Sequence, residues 1–188
     1  MQKSDICVLL KKRQTKELIS VCENIYAMRV IIVNRGGMTM STGNILFIEG
    51  SSWVSKLIQK IDGPYSHVAI RLGERTYFES QRYVNSRITN EPIKDACTEF
   101  YLDLDAYQKE MVVKSAFRLV DTPYDYKQIF SILWHRLTKR PIKNRRTHLI
   151  CSESVATILY ECGYLTREEF LQAESMTPNE LYKMLAEK

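Results

Sequence analysis

The sequence predicts an α+β fold in which an antiparallel sheet packs against helices. Three observations predict it. Short apolar runs bounded by turn residues gather between positions 45 and 88. Segments with apolar residues at helical spacing flank them, and Gly- or Pro-containing breaks separate the two kinds. At 188 residues the chain can bury a real core without staples.

Leu18, Ile19, Cys22, Ile25 and Tyr26 recur at i, i+3, i+4, i+7 and i+8, which predicts a helix over 15–28. Arg35-Gly36-Gly37 breaks that pattern, so residues 1–38 read as a helical extension and 39–188 as the main domain. An alternative expectation is a start at Met38 or Met40, because Arg-Gly-Gly before a methionine can be encoded by a purine-rich, ribosome-binding-like stretch. Ile45 to Ile48 reads as a strand. Ser51-Ser52 can cap a helix with Trp53, Leu57, Ile58 and Ile61 on one face, which Asp62-Gly63-Pro64 ends. His67 opens the buried strand run Val68-Ala69-Ile70, Gly73-Glu74 turns the chain, and Thr76-Tyr77-Phe78 returns it. Tyr83 to Ile88 continues as a further strand or edge segment.

Asp105 to Leu119 reads as a helix with Tyr107, Met111, Val112 and Ala116 as its stripe, stopped by Asp121-Thr122-Pro123. Asp125 to Leu137 is a further helical segment. Ser152 to Glu161 is amphipathic, with Gly163 as its left-handed cap. Thr166 with Glu169 and Thr177 with Glu180 have capping-box spacing, and Pro178 suits a first turn.

Composition narrows the function classes. Five cysteines, an odd number with no C-x-x-C pair, and no signal-peptide pattern fit free thiols in a reducing cytoplasm. Val30 to Val33 is far short of the ~20 apolar residues a membrane span needs. The net charge of +5 is modest. Lys139, Arg140, Lys143, Arg145 and Arg146 form a basic loop over 139–146, read as a solvated connection with anionic headgroups as its alternative contact. No recognisable nucleic-acid module accompanies those cations, and no His or Cys pair has the close spacing of a structural zinc site. No metal, cofactor or nucleic-acid partner is expected; the oligomeric state is left open.

The chemistry lies in three residues. In a hairpin closed around Gly73, His67 and Glu79 stand roughly opposite one another on one face, ~4.5–5.5 Å apart at Cβ, so the carboxylate reaches the imidazole. Cys151 opens a helix, whose positive end favours thiolate over thiol. A base, a group that orients it and a nucleophile then exist together. Each has a plainer reading: a buried small hydrophobe for Cys151, a strand-end polar residue for His67, and a surface carboxylate for Glu79. His148, three residues before Cys151, is the main rival base, while His135 reads as a helical core residue. Tyr65 can offer its hydroxyl to a substrate or pack as a turn residue on Pro64. The Cys151 amide is the first candidate for holding an oxyanion.

Gly43-Asn44-Ile45-Leu46-Phe47, Tyr65-Ser66-His67-Val68-Ala69-Ile70, Phe78-Glu79, Pro123-Tyr124-Asp125-Tyr126 and Cys151-Ser152-Glu153 together resemble the circularly permuted papain-like enzymes of the NlpC/P60 superfamily. The likeness is greatest to the YiiX-like branch, and the lecithin-retinol acyltransferase-like branch is more distant. Asn44 stands where the family usually has aspartate, and either can cap a turn. The resemblance implies a cysteine hydrolase (an amidase or thiol peptidase) with a Cys151-His67-Glu79 triad. Its implied substrates are a small peptide, an acyl-amino acid or a cell-wall peptide, and Tyr124 and Asp125 would lie near the cleft. Asp125 reads equally as a helix N-cap. A lipid acyltransferase or thioesterase on the same fold, and a catalytically idle binding module, are the rival functions.

Overall fold

The chain divides into two units, Met1–Met38 and Thr39–Lys188. A computed structural model describes residues 40–80, 85–123 and 150–188, all within the second. The segments predicted as helices over 15–28 and 125–137, the basic loop, His135, His148, Tyr124 and Asp125 lie outside the described residues.

The described fold is α+β, with a five-stranded antiparallel sheet and five helices among the described residues. The strands are β1 (Ile45–Ile48), β2 (His67–Arg71), β3 (Tyr77–Glu79), β4 (Arg87–Thr89) and β5 (Cys97–Phe100), in the order β4-β3-β2-β1-β5. The helices are α1 (Trp53–Asp62), α2 (Ala106–Leu119), α3 (Cys151–Glu161), α4 (Arg167–Ala173) and α5 (Pro178–Ala186).

Strand alternation sorts the core into two faces. Ile45, Phe47, Val68, Ile70 and Phe78 pack with Val112, Val113 and Ala116 of α2, with Val155, Ile158 and Leu159 of α3, and with Leu181 of α5. Leu46, Ile48, Ala69 and Tyr77 form a smaller cluster on the other face. Burial on both sides explains why β1 reads as an unbroken apolar run rather than an alternating one. Phe47 and Phe78 are completely buried, and losing either ring would cost about 3–5 kcal/mol.

Four expectations need correction. In the hairpin, Glu79 pairs with Ala69, not His67: Leu72 and Gly73 both donate to the Thr76 carbonyl, which moves the turn centre one residue along. The offset is two residues, so parity is kept and His67 and Glu79 still share a face. On α1 the buried side chains are Val54 and Ser55, while Trp53 and Leu57 are 73% and 41% exposed. Ile58 and Ile61 are half-buried, so only part of the apolar stripe is covered. Tyr107 is likewise exposed, leaving Val112, Val113, Ser115 and Ala116 as the buried side of α2. Finally, Cys97–Phe100 carries no strand pattern in the sequence, yet it pairs with all four residues of β1.

Element ends follow the capping chemistry. Asp105 and Gln108 close a capping box at α2, as do Thr166 with Glu169 at α4 and Thr177 with Glu180 at α5, where Pro178 occupies the first turn. Gly163, at φ 78°, lies just past α3, in the left-handed conformation that glycine adopts without steric cost.

Candidate active site

His67 is the first residue of β2, and the loop delivering it is clamped from a distant part of the chain. Asn179 in the first turn of α5 is buried. Its Oδ1 accepts from the Tyr65 amide at 2.9 Å, and its Nδ2 donates to the Tyr65 carbonyl at 2.7 Å and to Asp62 Oδ2 at 2.8 Å. Gly63 makes the approach feasible. It lies at φ 138°, and a Cβ there would sit 2.8 Å from Asn179 Oδ1.

Cys151 is the first residue of α3. The start of that helix is tied down by Ser152, whose hydroxyl donates to the Met176 carbonyl at 2.6 Å. Its N-cap, Ile150, provides no side-chain cap hydrogen bond; the other four described helices all have one. The positive end of the α3 dipole is therefore not shared with a capping oxygen, and it acts on the sulfur.

The structure brings Cys151, His67 and Glu79 together. His67 Nε2 lies 3.2 Å from Glu79 Oε2, which leaves Nδ1 for the Cys151 thiol, to which the ring is also hydrogen-bonded. The backbone of Val68 and of Ser152 hydrogen-bonds the same sulfur. β3 ends at Glu79, one pair short of Val68, and this frees the Val68 amide for that contact. The meeting differs from the expected one in geometry. By alternation Glu79 shares the face of Ala69 and Tyr77, whereas α3 packs on the opposite face with Val68 and Phe78. Cys151 and His67 thus meet at the end of β2, not across a single sheet face.

The electrostatics follow from these contacts. Burial pushes the Cys151 thiol up, but the hydrogen bond and positive charge of His67, with the Val68 and Ser152 backbone, bring it below its ordinary value. Burial pushes His67 down; hydrogen bonds to Cys151 and Glu79, and the negative charge of both, override it and raise the ring to about 10. The arrangement favours a thiolate–imidazolium pair. Cys162, whose thiol donates to the Leu159 carbonyl at 3.2 Å, and Cys97 are both shifted upward, by burial first.

Arg87 completes the cluster, and no local pattern in the sequence marks it. It stands directly opposite Glu79 in the β3–β4 register. Its Nε donates to Glu79 Oε1 at 2.9 Å, and its Nη2 lies 2.8 Å from the same oxygen and 3.0 Å from Glu91 Oε2. Glu79 itself is only 4% exposed. Burial raises its carboxyl, and His67 and Arg87 together hold it below the usual carboxylate range. A strand pairing Arg87 with Glu79 was the available signal, but it needed the β4 register, which the sequence did not fix. Asn179 offered no signal beyond its capping-box neighbours.

Tyr65 packs its ring against Phe47 and Tyr182, and its hydroxyl donates to Thr98 Oγ1 at 3.1 Å. Asn44 does more than occupy a turn: it is buried and donates to Glu99 Oε1 at 2.9 Å, while Arg71 forks onto both Glu99 oxygens. An aspartate at 44 would set two carboxylates against each other, so asparagine fits this chain's sheet. Among the described residues, the buried hydroxyls of Ser66 and Ser80, which border His67 and Glu79 in sequence, find no hydrogen-bond partner, the kind of group a bound ligand would satisfy.

Among the described residues no group of three or more His, Cys, Asp and Glu is placed to hold a metal ion, and no helix is long and apolar enough to cross a membrane. No family model matches the chain, and no curated protein matches it.

Proposed function

We propose that the chain is a cysteine hydrolase of permuted papain-like architecture. In this reading it cleaves an amide bond in a small peptide, acyl-amino acid or cell-wall peptide through a thioester. The observation that carries the reading is the His67 ring, hydrogen-bonded at once to the Cys151 thiol and the Glu79 carboxylate. The Cys151 thiolate adds to the substrate carbonyl carbon, and the carbonyl electron pair moves to oxygen. First-turn amides of α3, that of Cys151 foremost, face the resulting oxyanion. Collapse expels the amine, which takes the imidazolium proton from His67 and leaves a thioester. Neutral His67 then removes a proton from water, the hydroxide adds to the thioester carbonyl, and the carboxylic product leaves as the thiolate–imidazolium pair is restored. Glu79 holds the ring through both steps.

A panel of acyl-amino acid amides and short peptides, assayed with intact-mass detection of an acylated protein, tests this. Wild type should gain the acyl mass on the peptide containing Cys151 and turn over, and Cys151→Ala should do neither. Turnover persisting in purified Cys151→Ala would eliminate the covalent route. A thiol of ordinary reactivity in wild type, with no turnover on any substrate, would point to an idle binding module.

One observation favours a second reading, a lipid acyltransferase or thioesterase on the same fold. Trp53 and Leu57 are exposed on α1, with Lys56 and Lys60 exposed beside them, a composition suited to an anionic lipid surface. Hydrolysis of acyl esters in anionic vesicles, faster than any soluble amide and lost in Trp53→Ala/Leu57→Ala, would select it.

A further inference from the structure

Resting on the cysteine-nucleophile reading, we propose that Arg87 is a positioning residue of the same site, the second cation that lets Cys151 and Glu79 be anions together. Four groups share the cluster: Cys151 and Glu79 as anions, His67 and Arg87 as cations. Arg87 puts two nitrogens on Oε1 of Glu79, at 2.9 and 2.8 Å, and this turns Oε2 to His67 at 3.2 Å. The carboxylate thus has one oxygen fixed by the fork and the other aimed at the ring. Glu79 is almost fully buried, so water cannot take over either task.

The charge count gives the consequence. With Arg87 in place the cluster is neutral. Without it two buried anions compete for one imidazolium, and the cluster takes up a proton. If the proton goes to Cys151 the nucleophile is lost directly; if it goes to Glu79 the imidazolium loses its support and the thiolate follows. Among the described residues, the other charged or titratable groups facing this cluster are Tyr77 on β3 and Glu91 beyond β4, and Glu91 contacts Arg87 rather than Glu79. In the first turn of α3, Glu153 lies near Cys151 and is itself engaged. None of these replaces the guanidinium.

The test is the thiolate absorbance near 240 nm of the full chain across pH, taken as the difference from the matching Cys151→Ala protein so that other cysteines cancel. Arg87→Met should move the Cys151 midpoint up by about one pH unit or more, and Arg87→Lys, with one donor in place of two, should fall between. Arg87→Met on a Glu79→Gln background should leave the Glu79→Gln midpoint where it is, within a few tenths of a unit, because Arg87 acts through that carboxylate. That double variant, free of the unpaired anion, and Arg87→Lys carry the test if Arg87→Met does not fold. An unchanged midpoint in folded Arg87→Met or Arg87→Lys, or a shift equally large on the Glu79→Gln background, would overturn the assignment while leaving the nucleophile reading intact. A wild type with no low-pH thiolate signal that depends on Cys151 would overturn both.

Discussion

Cys151, His67 and Glu79 were legible as residues because their chemistry is carried by type and order: a thiol at a helix start, an imidazole at a strand start, and a carboxylate twelve positions on. Arg87 and Asn179 were not, since their relevance rests on partners at 79 and at 62–65 that only the folded chain supplies. These contacts sharpen what single substitutions should do. Glu79→Gln should lower single-turnover acylation less than His67→Ala, whose loss removes the base and should cost roughly 10²–10⁴-fold. A neutral amide can still accept the imidazole N–H through its oxygen, at the expense of the contact with Arg87. The gap should narrow as pH rises, because both variants lose support for the thiolate, His67→Ala the more, and at alkaline pH the thiolate forms without that support. Equal damage from both variants at every pH, with both folded, would mean that Glu79 does something other than orient His67.

At the scale of elements, what the sequence conveyed depended on whether the signal was local. Capping boxes at α4 and α5 are written in four consecutive residues, and both form. The stripe of α1 lies on one helical face as its spacing says, but periodicity does not say how much of that face is buried, and Trp53 and Leu57 are exposed. β5 escaped notice since Cys-Thr-Glu-Phe has little apolar content, and its strand state comes from pairing with the fully buried β1. The element most tightly linked to the site is the start of α5. Asn179→Ala should cost about 1–3 kcal/mol, the penalty for stranding buried backbone groups of Tyr65, and should lower turnover beyond what the stability loss explains, by loosening the entry of His67. Thr177→Ala, which removes only the cap of the same helix, should cost ~1 kcal/mol and leave turnover per folded molecule unchanged. Denaturant melts paired with active-site-normalised rates separate the two; identical behaviour of the variants would contradict the clamp.

For the whole molecule, the thiolate–imidazolium pair makes stability depend on pH in a characteristic way. His67 is raised on folding, so its contribution is complete below its unfolded value of ~6.5 and is lost as pH rises through about 10. Cys151 is lowered, so its contribution is complete above its unfolded value of ~8.5 and is lost as pH falls through the depressed folded value. Where the folded chain holds the thiolate–imidazolium pair and the unfolded chain the thiol and neutral imidazole, each carries one proton on these two groups and the sum is flat; it declines on both sides. Urea unfolding of wild type minus Cys151→Ala should therefore trace a plateau with two falling limbs, and a difference that does not vary with pH would contradict the pair. The α+β class and the antiparallel sheet were legible at this scale because strands and helices fall into separate blocks. Register, facing and the meeting of α3 with the end of β2 were not, since they depend on packing between separate segments, β2 and α3 lying far apart in the chain.

The most direct measurement is the titration of the His67 ring by NMR in the full chain, whose three histidines can be assigned by substitution. The ion pair predicts that His67 remains imidazolium at pH 8, with a midpoint near 10, and that the midpoint falls in Cys151→Ala. A wild-type His67 that titrates at or below the ordinary value of ~6.5, unmoved by Cys151→Ala, would contradict it.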